Sequence, residues 1–222
     1  MAMAFAVAGV KLSGIEIKDP DVVLKTFPHF WDVLQSIGVS VKIIYENPNI
    51  VLIGMRGGGK SSVAKRLSEK LGKKLADLDA MVEKREGLEI PDIVEKYGWG
   101  YFRDRESEIV QKVARAKDAI VSTGGGVIGR PENIAALKKR GVLVFLSTPA
   151  DVLARRIDDS HGKRPRLTEA ATTLEEVEAV LAERKKLYEA VADIVIDDTD
   201  MTLETKVEEV LRRLKARGIV EK

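Results

Sequence analysis

Short apolar runs alternate with longer amphipathic segments along most of the chain. Five such runs predict β-strands at 50–53, 75–78, 119–122, 142–146 and 194–196. The segments that follow them carry apolar residues at the spacing of helices packed on one face. Nearly all-apolar strands separated by helices are typical of a parallel sheet covered on both sides. The pattern therefore predicts an α/β protein with three layers, α/β/α, around a five-stranded parallel sheet.

Residues 1–45 do not follow this alternation. They contain an apolar start, a β-like run at 14–17 and an amphipathic segment that predicts a helix over about 28–37. A polar stretch that contains a proline follows at 46–49 and is typical of a linker. We therefore expect an extension at 1–45, a linker at 46–49 and a main domain at 50–222.

Composition excludes several kinds of site. The chain of 222 residues has no cysteine and two histidines, which excludes disulfides, iron–sulfur clusters, cysteine nucleophiles and multi-histidine metal sites. The net charge of +2 predicts neither a nucleic-acid partner nor a membrane partner, so any anion site must be local. No apolar run reaches the roughly 18 residues of a membrane helix, and the apolar start lacks the basic residues of a signal peptide. We expect a cytoplasmic protein.

The run GMRGGGKS at 54–61 fits the P-loop pattern G-x-x-x-x-G-K-[ST]. It follows a predicted strand and opens a predicted helix, as a P-loop does. In such a loop the glycines let backbone N–H groups converge on phosphate oxygens, at the positive end of the helix. Lys60 would then reach the β- and γ-phosphates and Ser61 would ligate Mg²⁺. The alternative is a flexible glycine-rich turn.

Two carboxylates, Asp77 and Asp79, lie at the end of the second predicted strand. Ligands of open α/β sheets bind beyond the carboxyl ends of the strands, so both side chains are expected at the site. One carboxylate can hold Mg²⁺ and the other can accept a hydroxyl proton. The alternative is that Asp79 is the N-cap of the next helix.

Four other features could contribute to a site. Arg103 and Arg184 suit recognition of a carboxylate, although either could lie on a solvated helix face. The glycines at 124–126 end a buried strand and permit close backbone approach, although a loose loop is the alternative. Arg164 lies in an irregular segment at about 158–172, which could close over a triphosphate or be a basic surface turn.

The order and spacing of these motifs resemble one family. From about residue 49 to the C-terminus the chain resembles shikimate kinase, which has a P-loop NTPase fold of the nucleoside monophosphate kinase type with a mobile lid. The matching segments are GMRGGGKSS, the Asp-Leu-Asp at 77–79, YGWGYFRDRE, STGGG, RPRL and ERKKLYEAVAD. Two positions depart from the family pattern. Trp99 stands where members usually have glutamate, and Arg166 stands where many have an aliphatic residue.

The resemblance implies transfer of phosphate from ATP to shikimate, giving shikimate 3-phosphate, with Mg²⁺ as the cofactor. It places Lys60, Asp79 and Arg164 in catalysis, and Ser61 with Asp77 at the metal. It implies that ATP is bound by Gly57, Gly58, Gly59, Lys60, Ser61, Ser62 and Arg164. It implies that shikimate is bound by Asp79, Arg103, Gly124, Gly125, Gly126 and Arg184.

The first 45 residues resemble a different family. The segments MAMAFAVAG, GIEIKDPDVV and KTFPHFWDVLQSIG are similar to the C-terminal tail of EPSP synthase, and Lys25 matches a lysine of that enzyme's active site. So short a tail cannot form that site, so we expect Lys25 to be inert. We hypothesise that the chain derives from a fusion with an upstream EPSP synthase domain, as in the AROM multienzyme. We expect the kinase domain itself to be monomeric.

Two alternatives for the function stay open at this point. The chain could be another small-molecule P-loop kinase, such as a gluconate or nucleoside monophosphate kinase. It could also be a non-catalytic module that binds nucleotide or serves as a scaffold.

Overall fold

A computed structural model describes residues 2–9, 23, 26–27, 30–40, 47–159, 167–168 and 170–220. The chain divides into two compact units, Met1–Asn47 and Pro48–Lys222, which are considered separately. The predicted run at 14–17, Lys25, Arg164 and Arg166 lie outside the described residues.

The first unit contains helices α1 (Ala2–Gly9) and α2 (Phe30–Ser36). α2 confirms most of the helix predicted over 28–37, whereas α1 was expected only as an apolar stretch. The side chains that pack together in this unit are Ala6, Val23, Phe30, Trp31 and Leu34. Among the residues that the structure describes, no helix is long and apolar enough to cross a membrane.

The second unit alternates strands with helices. Its elements are β1 (Asn49–Ile53), α3 (Lys60–Leu71), β2 (Lys74–Asp77), α4 (Leu78–Glu86), α5 (Ile90–Val113), β3 (Ala119–Ser122), a 3₁₀ turn (Val127–Gly129), α6 (Pro131–Arg140), β4 (Gly141–Ser147), α7 (Ala150–Asp158), α8 (Thr173–Val191), β5 (Ile194–Asp197) and α9 (Leu203–Ala216).

The described strands form one parallel sheet in the order β2-β3-β1-β4-β5. β1 lies at its centre and every residue of β1 is buried. Because side chains alternate along a strand, Val51 and Ile53 enter one apolar cluster while Ile50 and Leu52 enter another. The sheet is therefore covered on both faces, which confirms the predicted fold class.

The boundary between β2 and α4 differs from the prediction. The second strand was predicted to include Leu78, but that residue begins α4. The Asp77 carboxylate is the N-cap, since it accepts a hydrogen bond from the Ala80 backbone N–H at 3.3 Å. The alternative that Asp79 caps this helix is wrong. Helix α5 is kinked at Gly98 (φ 81°).

Candidate functional site

Three segments that carry predicted site residues meet at one edge of the sheet because β1, β2 and β3 are parallel and end at that edge. β1 is followed by the glycine-rich loop at 54–59, β2 ends at Asp77, and β3 is followed by the triglycine turn at 124–126. In an open α/β sheet this edge is where ligands bind.

The loop after β1 has the features of a phosphate-binding loop. Gly57 and Gly59 both have φ of +81°, a left-handed conformation that favours glycine. The N-cap of α3 is Gly59, which has no side chain with which to cap the first turn of this helix. The Lys60 ammonium is buried and donates to the Gly54 and Met55 carbonyl oxygens, both at 2.9 Å. A helix N-terminus without a side-chain cap and a buried cation therefore belong to the same loop, which is the combination found in phosphate-binding loops.

The two predicted metal ligands, Ser61 and Asp77, are both neighbours of Ser122. The hydroxyl oxygens of Ser61 and Ser122 are 3.2 Å apart, and Asp77 is the register partner of Ser122 across the β2–β3 ladder. Hydroxyl and carboxylate oxygens are hard ligands of the kind that Mg²⁺ binds, usually together with water and substrate phosphates. These residues therefore fit the predicted ion. Sequence reasoning did not single out Ser122.

Asp79 lies in the first turn of α4 and is partly buried. Burial raises the pKa of its carboxyl to about 6, from an ordinary value of 3.8. The positive charge of Lys60 opposes that rise, while the nearby negative charges of Glu106 and Asp77 add to it. A carboxylate with a raised pKa beside a phosphate-binding loop can accept a proton near neutral pH.

The triglycine turn is tightly enclosed by the side chains around it. A Cβ on Gly124 would lie 2.5 Å from Glu106 Oε1 and 2.8 Å from Asp79 Oδ1, and a Cβ on Gly126 would overlap the Arg103 guanidinium. A Cβ on Gly125 would lie 2.8 Å from the Arg56 backbone nitrogen, which cannot turn aside, so packing requires glycine at that position. A larger residue at Gly124 or Gly126 would instead displace the side chains around the turn. The alternative of a loose loop is wrong.

Arg103 is held from two directions. Its guanidinium donates to Glu106 Oε2 at 2.7 Å, and its charge lies 5.2 Å from the Trp99 ring centre and 4.9 Å from that of Phe102. Only 20% of the Arg103 side chain is exposed and Glu106 is fully buried, so this is not a solvated helix face. The sequence predictions gave Glu106 no role. Its position three residues after Arg103 on a helix was the available signal.

Arg184 reaches the same turn from helix α8. Its guanidinium donates to the Gly125 carbonyl oxygen at 3.2 Å, and the Tyr188 hydroxyl donates to the same oxygen. Tyr188 is fully buried and stacks on Phe145, and burial raises its pKa to about 12. The structure thus brings both predicted arginines to the triglycine turn. Tyr188, one helical turn after Arg184, was not predicted.

The predicted lid is described only in part. Residues 160–166 and 169, which include Arg164, lie outside the described residues. Helix α8 begins directly after this segment, with Thr172 and Glu175 forming a capping box. In its first turn the buried Glu176 carboxylate pairs with Arg56 of the P-loop. Helix α8, which follows the lid segment, is therefore connected to the phosphate-binding loop.

Comparison with known proteins agrees with this geometry. The family model of shikimate kinase matches residues 56–215, and that of EPSP synthase (3-phosphoshikimate 1-carboxyvinyltransferase) matches residues 1–34. The shikimate kinase of Nitratidesulfovibrio vulgaris is 44% identical over 149 residues, which cover 66% of this chain and 85% of the relative. That of Pelotomaculum thermopropionicum is 36% identical over 173 residues, covering 78% of this chain and 99% of the relative.

Solved structures agree as well. Shikimate kinase from Acinetobacter baumannii, determined in complex with shikimate, is 32% identical, has a TM-score of 0.73, and is matched over 77% of this chain and 94% of that one. The enzyme from Aquifex aeolicus is 35% identical, has a TM-score of 0.65, and is matched over 77% of this chain and 98% of that one. The chain belongs to the shikimate kinase family.

Proposed function

We propose that this protein transfers the γ-phosphoryl group of ATP to shikimate and so forms shikimate 3-phosphate. The observation that supports this most strongly is the set of side chains at the triglycine turn. A carboxylate, Asp79, and two arginines, Arg103 and Arg184, meet there beyond the end of a P-loop. Shikimate offers hydroxyl groups and a carboxylate, which suit such a set.

In the proposed reaction the P-loop holds the phosphates of ATP. Backbone N–H groups from Gly57, Gly58 and Gly59 and the first turn of α3, with Ser61 and Ser62, surround the phosphate oxygens. Lys60 exchanges its two carbonyl partners for the β- and γ-phosphates and stabilises the charge that develops during transfer. We propose Ser61 and Asp77 as ligands of Mg²⁺, which when bound neutralises phosphate charge.

The acceptor lies on the other side of the γ-phosphate. Arg103 and Arg184 bind the shikimate carboxylate, with the turn Gly124, Gly125 and Gly126 beside the ring. Asp79 orients the accepting hydroxyl and takes its proton, as its raised pKa permits. Catalysis then depends mainly on positioning and on stabilisation of charge. We retain Arg164 as the lid residue that closes over ATP, on the family resemblance alone.

A turnover assay tests the proposal. ADP release is measured with ATP and Mg²⁺ and with shikimate, gluconate or CMP as acceptor. We expect release that depends on shikimate, and none above background with the other two. Asp79→Asn should abolish this turnover while ADP binding, measured by calorimetry, stays within a few-fold of the wild type. The absence of shikimate-dependent release from the wild-type protein would refute the proposed function.

The first unit supports a separate proposal about the evolutionary origin of the chain. Residues 1–45 resemble the tail of EPSP synthase, and the family comparison at 1–34 agrees with that resemblance. We propose that the chain derives from a fusion in which an EPSP synthase domain preceded the kinase. An upstream reading frame for the rest of that domain would support the idea, and its absence from the native gene would refute it.

The expectations of a monomeric kinase domain and a cytoplasmic location stay predictions.

A further inference from the structure

A buried polar network lies beside the P-loop and is built from residues that follow β4 and β5. It consists of Thr148, which follows β4, Asp198, which follows β5, and Lys206 in the first turns of α9. All three are at least 95% buried. The Lys206 ammonium pairs with Asp198 Oδ2, and the Thr148 hydroxyl donates to the same oxygen at 2.9 Å. We call this set the Thr-Asp-Lys network.

The network lies beside the two glycines whose backbone is expected to approach phosphate. A Cβ on Gly59 would lie 3.8 Å from Lys206 Nζ, and a Cβ on Gly58 would lie 3.4 Å from the Thr148 hydroxyl oxygen. A side chain added at either position would be in van der Waals contact with the network, so the ammonium and the hydroxyl are among the groups next to this turn. Glycines have no side chains with which to hold a turn, so neighbouring groups must restrict their backbone.

The order of the strands gives the network its place relative to the substrates. Asp79, Arg103 and the triglycine turn follow β2 or β3, on one side of the central strand β1, and Arg184 reaches that turn from α8. The network follows β4 and β5, on the other side of β1. The γ-phosphate must point towards the acceptor, so the rest of the nucleotide extends towards β4 and β5. The network therefore lies on the nucleotide side of the P-loop.

We infer that Lys206, fixed by Asp198 and Thr148, is a positioning residue that sets the affinity of the P-loop for nucleotide. It holds the turn at Gly58 and Gly59 in the binding conformation before the ligand arrives. Preorganisation of this kind increases affinity because less conformational entropy is lost on binding. The inference rests on the proposed function only in that the P-loop binds a nucleotide.

The test must separate an effect of Lys206 on the conformation of the P-loop from an effect on the stability of the whole fold. Lys206 is the cation that pairs with the buried Asp198 carboxylate, so Lys206→Met alone would leave that carboxylate without its compensating charge. The other carboxylate oxygen, Asp198 Oδ1, has no hydrogen-bond partner among the described residues that could compensate. The double variant Asp198→Asn/Lys206→Met removes both charges and keeps an acceptor for the Thr148 hydroxyl. Lys215→Met, a change at an exposed position of the same helix, is the matched control.

ADP affinity is measured by calorimetry without shikimate, and melting temperature by scanning fluorimetry. We expect the single variant to melt earlier and to bind ADP about tenfold more weakly. The double variant should recover most of the melting temperature and still bind ADP about tenfold more weakly, with KM for shikimate and kcat near those of the wild type. The control should match the wild type in every measurement.

An ADP affinity of the double variant within about twofold of the wild type would overturn the inference, as would equal weakening of ADP and shikimate. If the double variant does not fold, Thr148→Val serves instead. This change keeps both charges, and we expect a loss of ADP affinity of about threefold, with a melting temperature lower by the few degrees that loss of one buried hydrogen bond costs. Unchanged ADP affinity in that variant would overturn the inference. Since ADP binding is measured without an acceptor, failure of the shikimate assay would leave this result interpretable.

Discussion

Replacement of Asp79 by asparagine is expected to stabilise the protein while it abolishes the proposed reaction. Burial raises the pKa of this carboxyl from 3.8 to about 6, so the folded state disfavours the charged form. Between those two values the folded protein holds a proton that the unfolded chain has released. Stability therefore falls as pH rises through this window, and above about pH 6 the full unfavourable contribution is present.

The size of the expected stabilisation follows from the change in the pKa of Asp79. A difference of about two pKa units corresponds to about 3 kcal/mol of unfolding free energy at 1.36 kcal/mol per unit, and this is an upper limit because Asp79 is only partly buried. Asparagine has nearly the same shape and no charge, so it removes the unfavourable contribution. For a domain of this size 3 kcal/mol corresponds to a rise of about 6–12 °C in melting temperature.

The assay is urea denaturation of the wild type and Asp79→Asn across a series from pH 4 to pH 8. The difference in unfolding free energy should be near zero at pH 4, grow through pH 5 and 6, and level off above pH 7. Glu178→Gln, the same chemical change at an exposed position, should show no such pH-dependent gain. A difference that is constant across the series, or a less stable Asp79→Asn at pH 8, would refute the reasoning.

Three further predictions concern the acceptor side of the site. If Asp79 accepts the proton, kcat/KM for shikimate should rise about tenfold per pH unit below pH 6 and level off above it, and a flat profile from pH 5 to 8 would contradict that role. Gly124→Ala should lower kcat/KM by about a hundredfold or more because its Cβ displaces the Asp79 carboxylate, whereas Gly129→Ala, which has open space around it, should retain activity. Tyr188→Phe removes a buried hydrogen bond to the Gly125 carbonyl and should lower unfolding free energy by about 1 kcal/mol and raise KM for shikimate; unchanged values for both would contradict this role.

The strand and helix order could be read from the sequence because the sheet is parallel and buried. Strands covered on both faces are nearly all apolar, as Ile50–Ile53 illustrates, whereas the helices between them have a polar face. A continuous apolar run is therefore easily told from the 3.6-residue periodicity of a helix. The boundary at Leu78 was harder to predict, because a buried leucine suits either a strand end or a helix start. The Asp77 side chain decides it by accepting the Ala80 N–H.

The sequence by itself determined the P-loop, because that site is built from consecutive residues whose backbone does the binding. It also supplied Asp79, Arg103 and Arg184, although each alone could have been an ordinary surface residue. Only the tertiary structure showed that these side chains meet around one triglycine turn, and that Glu106, Tyr188 and Ser122 share that region.

The Thr-Asp-Lys network likewise had no signal in the sequence. Its members follow β4, follow β5 and lie in α9, and no spacing along the chain relates them. The order of the strands brings them together beside the P-loop, where burial of a charge requires a partner. Contacts between distant segments depend on packing, so they could be found only in the folded protein.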